Sequence, residues 1–433
     1  MPPPTLEPIT QLAFLSTASL EPGSEPSEVG DGQRLRVGLL VSWFYPAESG
    51  AERQALEQGR ELLRQGHQVG VVTGRLPGRP SFERIDGLEV HRVIRSIRLG
   101  PLFGLSYLAS AVAALIRLGP RFDVIHTHQA LWEAIAAGLA RPGLGRVPVL
   151  VQPASSGAFG EADQLRTLRG WPILLRWMLR NDGFVAISRE IADQWRTLGV
   201  PEDRLWLSRS GVDARRFHPG PSAWDRPTVD SPPSPLPPRP RVVFTGRLHP
   251  QKNLDFLIDV WPEARRRAGG VGSLLLAGDG PERDRLERLA ACRLEEFGPE
   301  AVGSIRWLGR VADPSELLRA CDLFVLPSVA EGMSNSLLEA MASGLPSVVS
   351  KIGGNVDLIS EGPEATGRLV DPTDRDGWIN ALSDLLSDPT TRQAMGRRAR
   401  ARIEAEYDLP VVVAANLKIY RELIRRRSRG AAT

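Results

Sequence analysis

Residues 325–349 read VLPSVAEGMSNSLLEAMASGLPSVV. An apolar run over Leu323–Leu326 closes on Pro327 and a small polar turn. Glu331-Gly332 follows, then a Ser/Asn cluster at 334–336, then a short apolar helical pattern through Ala342. Gly344 ends that helix and Pro346 opens a second apolar run, Ser347–Ser350. The order is strand, turn, helix, strand, and two glutamates, Glu331 and Glu339, flank the helix start. Such a start offers unpaired N–H groups and the positive end of the helix dipole, a ready site for phosphate. Glu339 also has a structural reading, as the far half of a capping box Ser336-Leu337-Leu338-Glu339. Glu331 has none, since it precedes Gly332 in a loop at a strand end.

The alternation continues both ways. Downstream of Arg241 come strands at 241–246, 273–278, 304–308, 323–326, 347–350 and 366–370, separated by helical patterns and followed by helices 374–386, 390–407 and 410–427. Upstream, RVGLLVSW (36–43) is a buried-strand run. A glycine turn, the helix 51–64 and the strand 69–73 complete a βαβ unit. Further strands are read at 88–94, 122–126, 147–152, 183–187 and 206–208, with Ser188 capping the helix through Leu198. Residues 218–240, HPGPSAWDRPTVDSPPSPLPPRP, hold too many prolines for a helix or central strand and read as a stiff linker. The organisation expected is a disordered extension over 1–33, an α/β domain over 34–217, the linker, a second α/β domain over 241–408, and a terminal helix with a basic tail over 409–433. In doubly wound sheets ligands bind beyond the carboxyl ends of the strands.

Composition narrows the partners. The 433 residues carry 54 Lys+Arg against 51 Asp+Glu, so bulk charge does not argue for nucleic acid. Cys292 and Cys321 form neither a CxxC pair nor a metal spacing, and suit structural thiols in a reducing, cytoplasmic setting. The Pro/Ser/Glu-rich first residues lack a signal-peptide pattern. The most membrane-like segment, Leu102–Leu118, contains Gly104, Ser106, Ser110 and Arg117 and reads as a buried or interfacial helix.

Several short motifs lie at strand ends. Thr245-Gly246-Arg247-Leu248 follows a strand, and Lys252-Asn253 precedes a helix. A planar guanidinium fork and a point charge five residues apart converge on one anion, where a leaving diphosphate gathers charge. Gly50, in PAESGAE, lets a ligand approach the backbone closely. His126-Thr127-His128 ends a strand; alternation is expected to turn the two rings to opposite faces, one of them toward a cleft, and no third ligand suggests a metal site. No GxGxxG follows any strand, which counts against a nicotinamide or flavin enzyme.

Taken in order, PAESGAE, DVIHTH, FTGRLHPQKN, LAGDGP, WLGRV, EGMSNSLLEAMASGLP and GGNVDLI resemble the retaining glycosyltransferases of family 4, or group 1, over about residues 35–425. The resemblance implies the GT-B fold: two Rossmann-like, doubly wound α/β domains facing a central cleft, with the C-terminal helix crossing back to the first. It implies a nucleotide-sugar co-substrate, UDP- or GDP-linked, and no other cofactor or metal. By position it implies that Glu339 binds the donor ribose and Glu331 lies beside the transferred sugar. Arg247 and Lys252 hold the diphosphate, Met333, Ser334, Asn335 and Ser336 give backbone N–H groups, and Arg310-Val311 meets the base. Gly50 lies under the diphosphate, and His128 is near the sugar C6 hydroxyl. Catalysis is thereby assigned to His128, Glu331, Arg247 and Lys252. Many members have Gly-Gly where this chain has Ser49-Gly50.

LRTLRGWPILLRWMLR (165–180), and a second basic group at Arg75, Arg79, Arg84, Arg92, Arg95 and Arg98, suit either an ordinary domain surface or one that lies on anionic lipid. The acceptor expected is a glycan or a lipid-linked molecule, with the enzyme cytoplasmic or peripheral on the inner membrane face. A nucleotide-sugar epimerase of the same fold and a non-catalytic nucleotide-sugar-binding subunit are the competing functions.

Overall fold

The computed structural model describes residues 33–46, 50–97, 99, 102–157, 160–225 and 236–429. Fourteen strands build two sheets among these residues. The first comprises β1 (Arg36–Leu40), β2 (Gln68–Gly74), β3 (Phe82–Ile85), β4 (Leu88–Ile94), β5 (Val124–Thr127), β6 (Val149–Val151), β7 (Gly183–Ala186) and β8 (Leu205–Leu207). Its order is β3-β4-β2-β1-β5-β6-β7-β8. The second comprises β9 (Arg241–Thr245), β10 (Ser273–Ala277), β11 (Ile305–Gly309), β12 (Leu323–Leu326), β13 (Ser347–Ser350) and β14 (Gly367–Val370), ordered β11-β10-β9-β12-β13-β14. Central strands such as RVVFT of β9 are buried along their whole length, as parallel strands covered by helices on both faces must be.

The first sheet is not wholly parallel. β3 pairs antiparallel with β4 around Asp86-Gly87, both at positive φ. An Asp-Gly pair between two strand-like runs is a strong hairpin signal, and the alternation reading passed over it. Helices Glu161–Thr167 and Gly353–Leu358 are likewise additions, each too short for a clear apolar period. Elsewhere the glycines set close approaches. Gly38 and Gly70 face each other across β1 and β2, and a Cβ on either would lie 2.6 Å from the Phe122 ring packed over them.

The Pro-rich stretch is tied down at both ends. Ser222 and the Ala223 N–H bond Glu316, while Asp225 bridges Arg239 and Arg241. A 3-10 turn, Ala223–Asp225, forms where proline content suggested extended chain only. Residues 226–235 of that stretch, like residues 1–32, lie outside the described residues.

The last helix, Leu409–Arg429, leaves the second unit and packs on the first. Asn416 joins Gln58 and Ser208 at 3.1 Å each, and the Tyr420 hydroxyl meets His126 Nδ1 at 2.7 Å. The segments beyond the carboxyl ends of the two sheets meet, Ser156 after β6 with Glu331 after β12 and Gly50 after β1 with Asn335.

Candidate active site between the two sheets

The loop after β12 carries Glu331. Lys252, on the turn Pro250–Lys252 after β9, places Nζ 2.5 Å from Glu331 Oε1. The neighbouring Gln251 donates to the Ala330 carbonyl at 2.8 Å and accepts at its own carbonyl from Val329 N–H. The β9 turn therefore holds the glutamate loop by side chain and backbone together. Across the cleft, Ser156 Oγ donates to the Glu331 carbonyl at 2.8 Å. Gly332 lies so close to the Ala154 carbonyl that a Cβ there would approach it to 2.2 Å.

The helix beyond, Asn335–Ala342, is capped by Ser334, whose Oγ accepts from Leu337 N–H. This overturns the capping box. Ser336 lies inside the helix, and the buried Glu339 side chain instead meets Arg53 Nη1 at 2.8 Å. Arg53 and Gly50 belong to helix Gly50–Arg64 of the first unit. Asn335 completes the clasp: its Nδ2 donates to Gly50 O at 3.0 Å and its Oδ1 accepts from Gln54 Nε2 at 2.8 Å. Met333 Sδ accepts from Ser210 N–H. Arg53, Gln54 and Ser156 were not among the expected site residues. One turn of helix separates Gly50 from Arg53, but nothing local announces that Arg53 reaches a glutamate 286 positions away.

The other expected residues make no hydrogen bond or ion pair to this cluster among the described residues. Arg247 is exposed at the end of β9 and forms no ion pair among the described residues. Arg310 and Val311 follow β11, at the far edge of the same sheet. His128 is fully buried, and neither ring nitrogen is hydrogen-bonded among the described residues. Burial lowers its pKa to about 3, so the ring is neutral. The two histidines do not diverge: their rings sit 4.5 Å apart, because residues two apart on a strand share a face. Ser49 lies outside the described residues.

Two sequence profiles match this chain, one described as "Glycosyl transferases group 1" over residues 239–388 and one as "Glycosyltransferase Family 4" over residues 49–216. They fall one on each unit and together span most of the chain. It belongs to the group 1, family 4 glycosyltransferases. The glycogen synthase of Mycobacterium tuberculosis is 29% identical over 411 residues, 88% of this chain and 94% of that one. A GDP-mannose-dependent alpha-(1-6)-phosphatidylinositol monomannoside mannosyltransferase of Mycolicibacterium smegmatis is 29% identical over 377 residues, 84% and 92% of the two chains. Among solved structures, Anabaena HepE in complex with UDP superposes with a TM-score of 0.68 at 19% identity, covering 90% of this chain and all of that one. The fold is GT-B.

In this glycosyltransferase the basic group expected around β3 and β4 does not form one surface. Arg92 is fully buried, pairs with Glu83 at 2.6 Å, and donates to the carbonyls of Phe44 and Tyr45. It props the loop that leads from β1 toward Gly50. Arg98 lies outside the described residues.

Proposed function

We propose that this glycosyltransferase transfers a hexosyl unit, with retention, from a UDP- or GDP-sugar to a glycan or lipid-linked acceptor. The observation that carries the reading is the Lys252–Glu331 pair where β9 and β12 end, with Asn335, four residues beyond Glu331, bonded across the cleft to Gly50. Arg247 and Lys252 bind the diphosphate, Glu339 the ribose and Arg310-Val311 the base. Met333 to Ser336 supply backbone donors, and the neutral His128 accepts from a sugar hydroxyl. In the transfer the C1–O bond to the diphosphate breaks and the acceptor oxygen bonds C1 on the same face. The acceptor proton passes to the departing diphosphate. Charge and positioning do the catalysis, with no covalent enzyme nucleophile and no divalent metal. The names of relatives that use GDP-mannose or build glycogen, and the UDP bound in HepE, support a nucleotide-sugar donor.

A thermal-shift screen against nucleotide-sugars, followed by NMR of the product formed with the donor that binds, tests the reading. Expected are a stabilising shift with one nucleotide series and a product of unchanged anomeric configuration. An inverted product removes retention; epimerised donor in the absence of acceptor replaces transfer by epimerisation. Turnover unchanged in Glu331→Ala and Arg247→Ala removes the assigned site.

The Arg53 contact adds a pH signature. Burial raises the Glu339 carboxyl pKa, and the Arg53 guanidinium opposes that rise. With Arg53→Gln the pKa climbs further, so the ionised form that accepts ribose hydroxyls is lost sooner as pH falls. The acid limb of kcat/KM is expected to move to higher pH, recover toward wild type above it, and stay in place in Arg53→Lys. A uniform loss at all pH values would leave Arg53 as a packing residue only.

A further inference from the structure

Residues 90–122 contain five arginines and no Asp or Glu. Within them, helix Leu102–Leu118 has a single charged residue, Arg117. Its inner face is core: Tyr107, Ala111, Ala114, Leu115 and Leu118 are buried. Its outer face is apolar as well. Leu102, Leu105, Ala109, Ala113 and Ile116 are exposed at spacings of three and four, one stripe along the helix. Leu102 is 51% and Leu105 68% exposed. The approach segment extends the stripe with Ile97 and with Leu99, 68% exposed. Arg95 and Ile97 are tied to the helix, since Ser110 Oγ accepts from Arg95 N–H at 2.8 Å and Ser106 Oγ from Ile97 N–H at 2.9 Å. A surface helix of a globular domain normally turns charge outward, and an exposed apolar stripe of this length marks a binding face.

The charge beside the stripe indicates what covers it. Arg95 lies at one end, Arg117 and Arg121 at the other, all exposed and outside any ion pair among the described residues. A second copy of the chain meeting this face would bring like charges together, which disfavours self-association. Helix Trp132–Ala140 packs between this helix and Trp171–Met178, which adds exposed Ile173 and Arg176 to the same helical layer. The helix does not read as a span: Tyr107 is hydrogen-bonded to buried Glu133, and the whole inner face is packed in the domain.

We infer that this helical layer docks on an anionic lipid bilayer, with Leu99, Leu102 and Leu105 entering the acyl boundary and the arginines meeting lipid phosphates. The inference uses no residue of the donor site and stands or falls independently of the donor reading.

Co-sedimentation of the full chain with phosphatidylglycerol-containing vesicles and with phosphatidylcholine vesicles, at low and high salt, tests it. Wild type is expected to bind the anionic vesicles and to weaken with salt. The triple variant Leu99→Ser/Leu102→Ser/Leu105→Ser is expected to bind at least about tenfold more weakly at an unchanged Tm. Arg95→Glu/Arg117→Glu, which alters exposed side chains only, is expected to lose the salt-sensitive part and decides the matter should the triple variant fail to fold. Wild type that ignores anionic vesicles, or variants that bind as wild type does, overturns the proposal. So does light scattering that shows a dimer which the leucine variant dissolves, because a second copy then covers the stripe.

Discussion

Lys252→Ala is expected to lower kcat/KM by about 100- to 1000-fold, the loss typical of removing one preorganised group that stabilises developing charge. Lys252 has three N–H donors. One meets Glu331, and the half-buried position of the side chain leaves the others to reach a diphosphate. Two effects reinforce each other. The leaving group loses a cation, and the buried Glu331, 8% exposed, loses its ion-pair partner and must reorient. Lys252→Arg does not restore the arrangement, because a planar fork cannot replace a point charge so close to the carboxylate. The pair is expected to act as one unit, so Lys252→Ala/Glu331→Gln should be little worse than the poorer single variant. Steady-state kinetics with saturating acceptor checks this. A Lys252→Ala enzyme within tenfold of wild type, or losses that multiply in the double variant, would sink the shared role.

How much of this was legible beforehand depended on range. β9 and β12 were visible because a parallel central strand needs a nearly unbroken apolar run, and RVVFT and LFVL supply one. The turn after β9 was visible because Gly246, Arg247 and Lys252 are close in sequence. β3 was missed although Asp86-Gly87 announced it, because FERI is only four residues long and half exposed, and gives no apolar run. The His126–His128 pair differs from the expectation of opposite faces because residues two apart on a strand share one face. The capping box was a true local possibility that lost to tertiary contact. Glu339 found Arg53, and Ser334 supplied a cap two residues earlier than the sequence suggested. Arg92 shows the same limit from the other side. Nothing in VHRVI distinguishes a surface arginine from one buried under a loop, and the partners that bury it, Glu83, Phe44 and Tyr45, lie on other elements.

Gly354→Ala is expected to reduce kcat/KM about 100-fold while leaving the protein folded. A Cβ at Gly354 would lie 2.0 Å from the Gly332 carbonyl oxygen, a backbone atom that cannot rotate away. Gly354 has no left-handed φ, so alanine meets no backbone strain and, inside helix Gly353–Leu358, gains up to about 1 kcal/mol of helix propensity. That gain offsets part of an overpacking cost of about 1–3 kcal/mol, so the change in Tm should be small. The displacement has little freedom. Gly332 already abuts the Ala154 carbonyl, and the adjoining Glu331 carbonyl is held by Ser156. Relief to an ordinary contact therefore shifts the Gly332–Met333 peptide, one residue beyond Glu331, by roughly an ångström, and a misplacement of that size passed to Glu331 is enough for a loss of about 100-fold. Gly353→Ala is a less informative variant, since its φ of +43° adds conformational strain to a separate collision, with the Glu331 carbonyl oxygen 2.0 Å from a Cβ there. Kinetics paired with thermal melts separates the two effects. Activity within about threefold of wild type would mean that the loop carrying Glu331 yields without moving its carboxylate, and the placement of that residue by the Gly-Gly turn would be refuted.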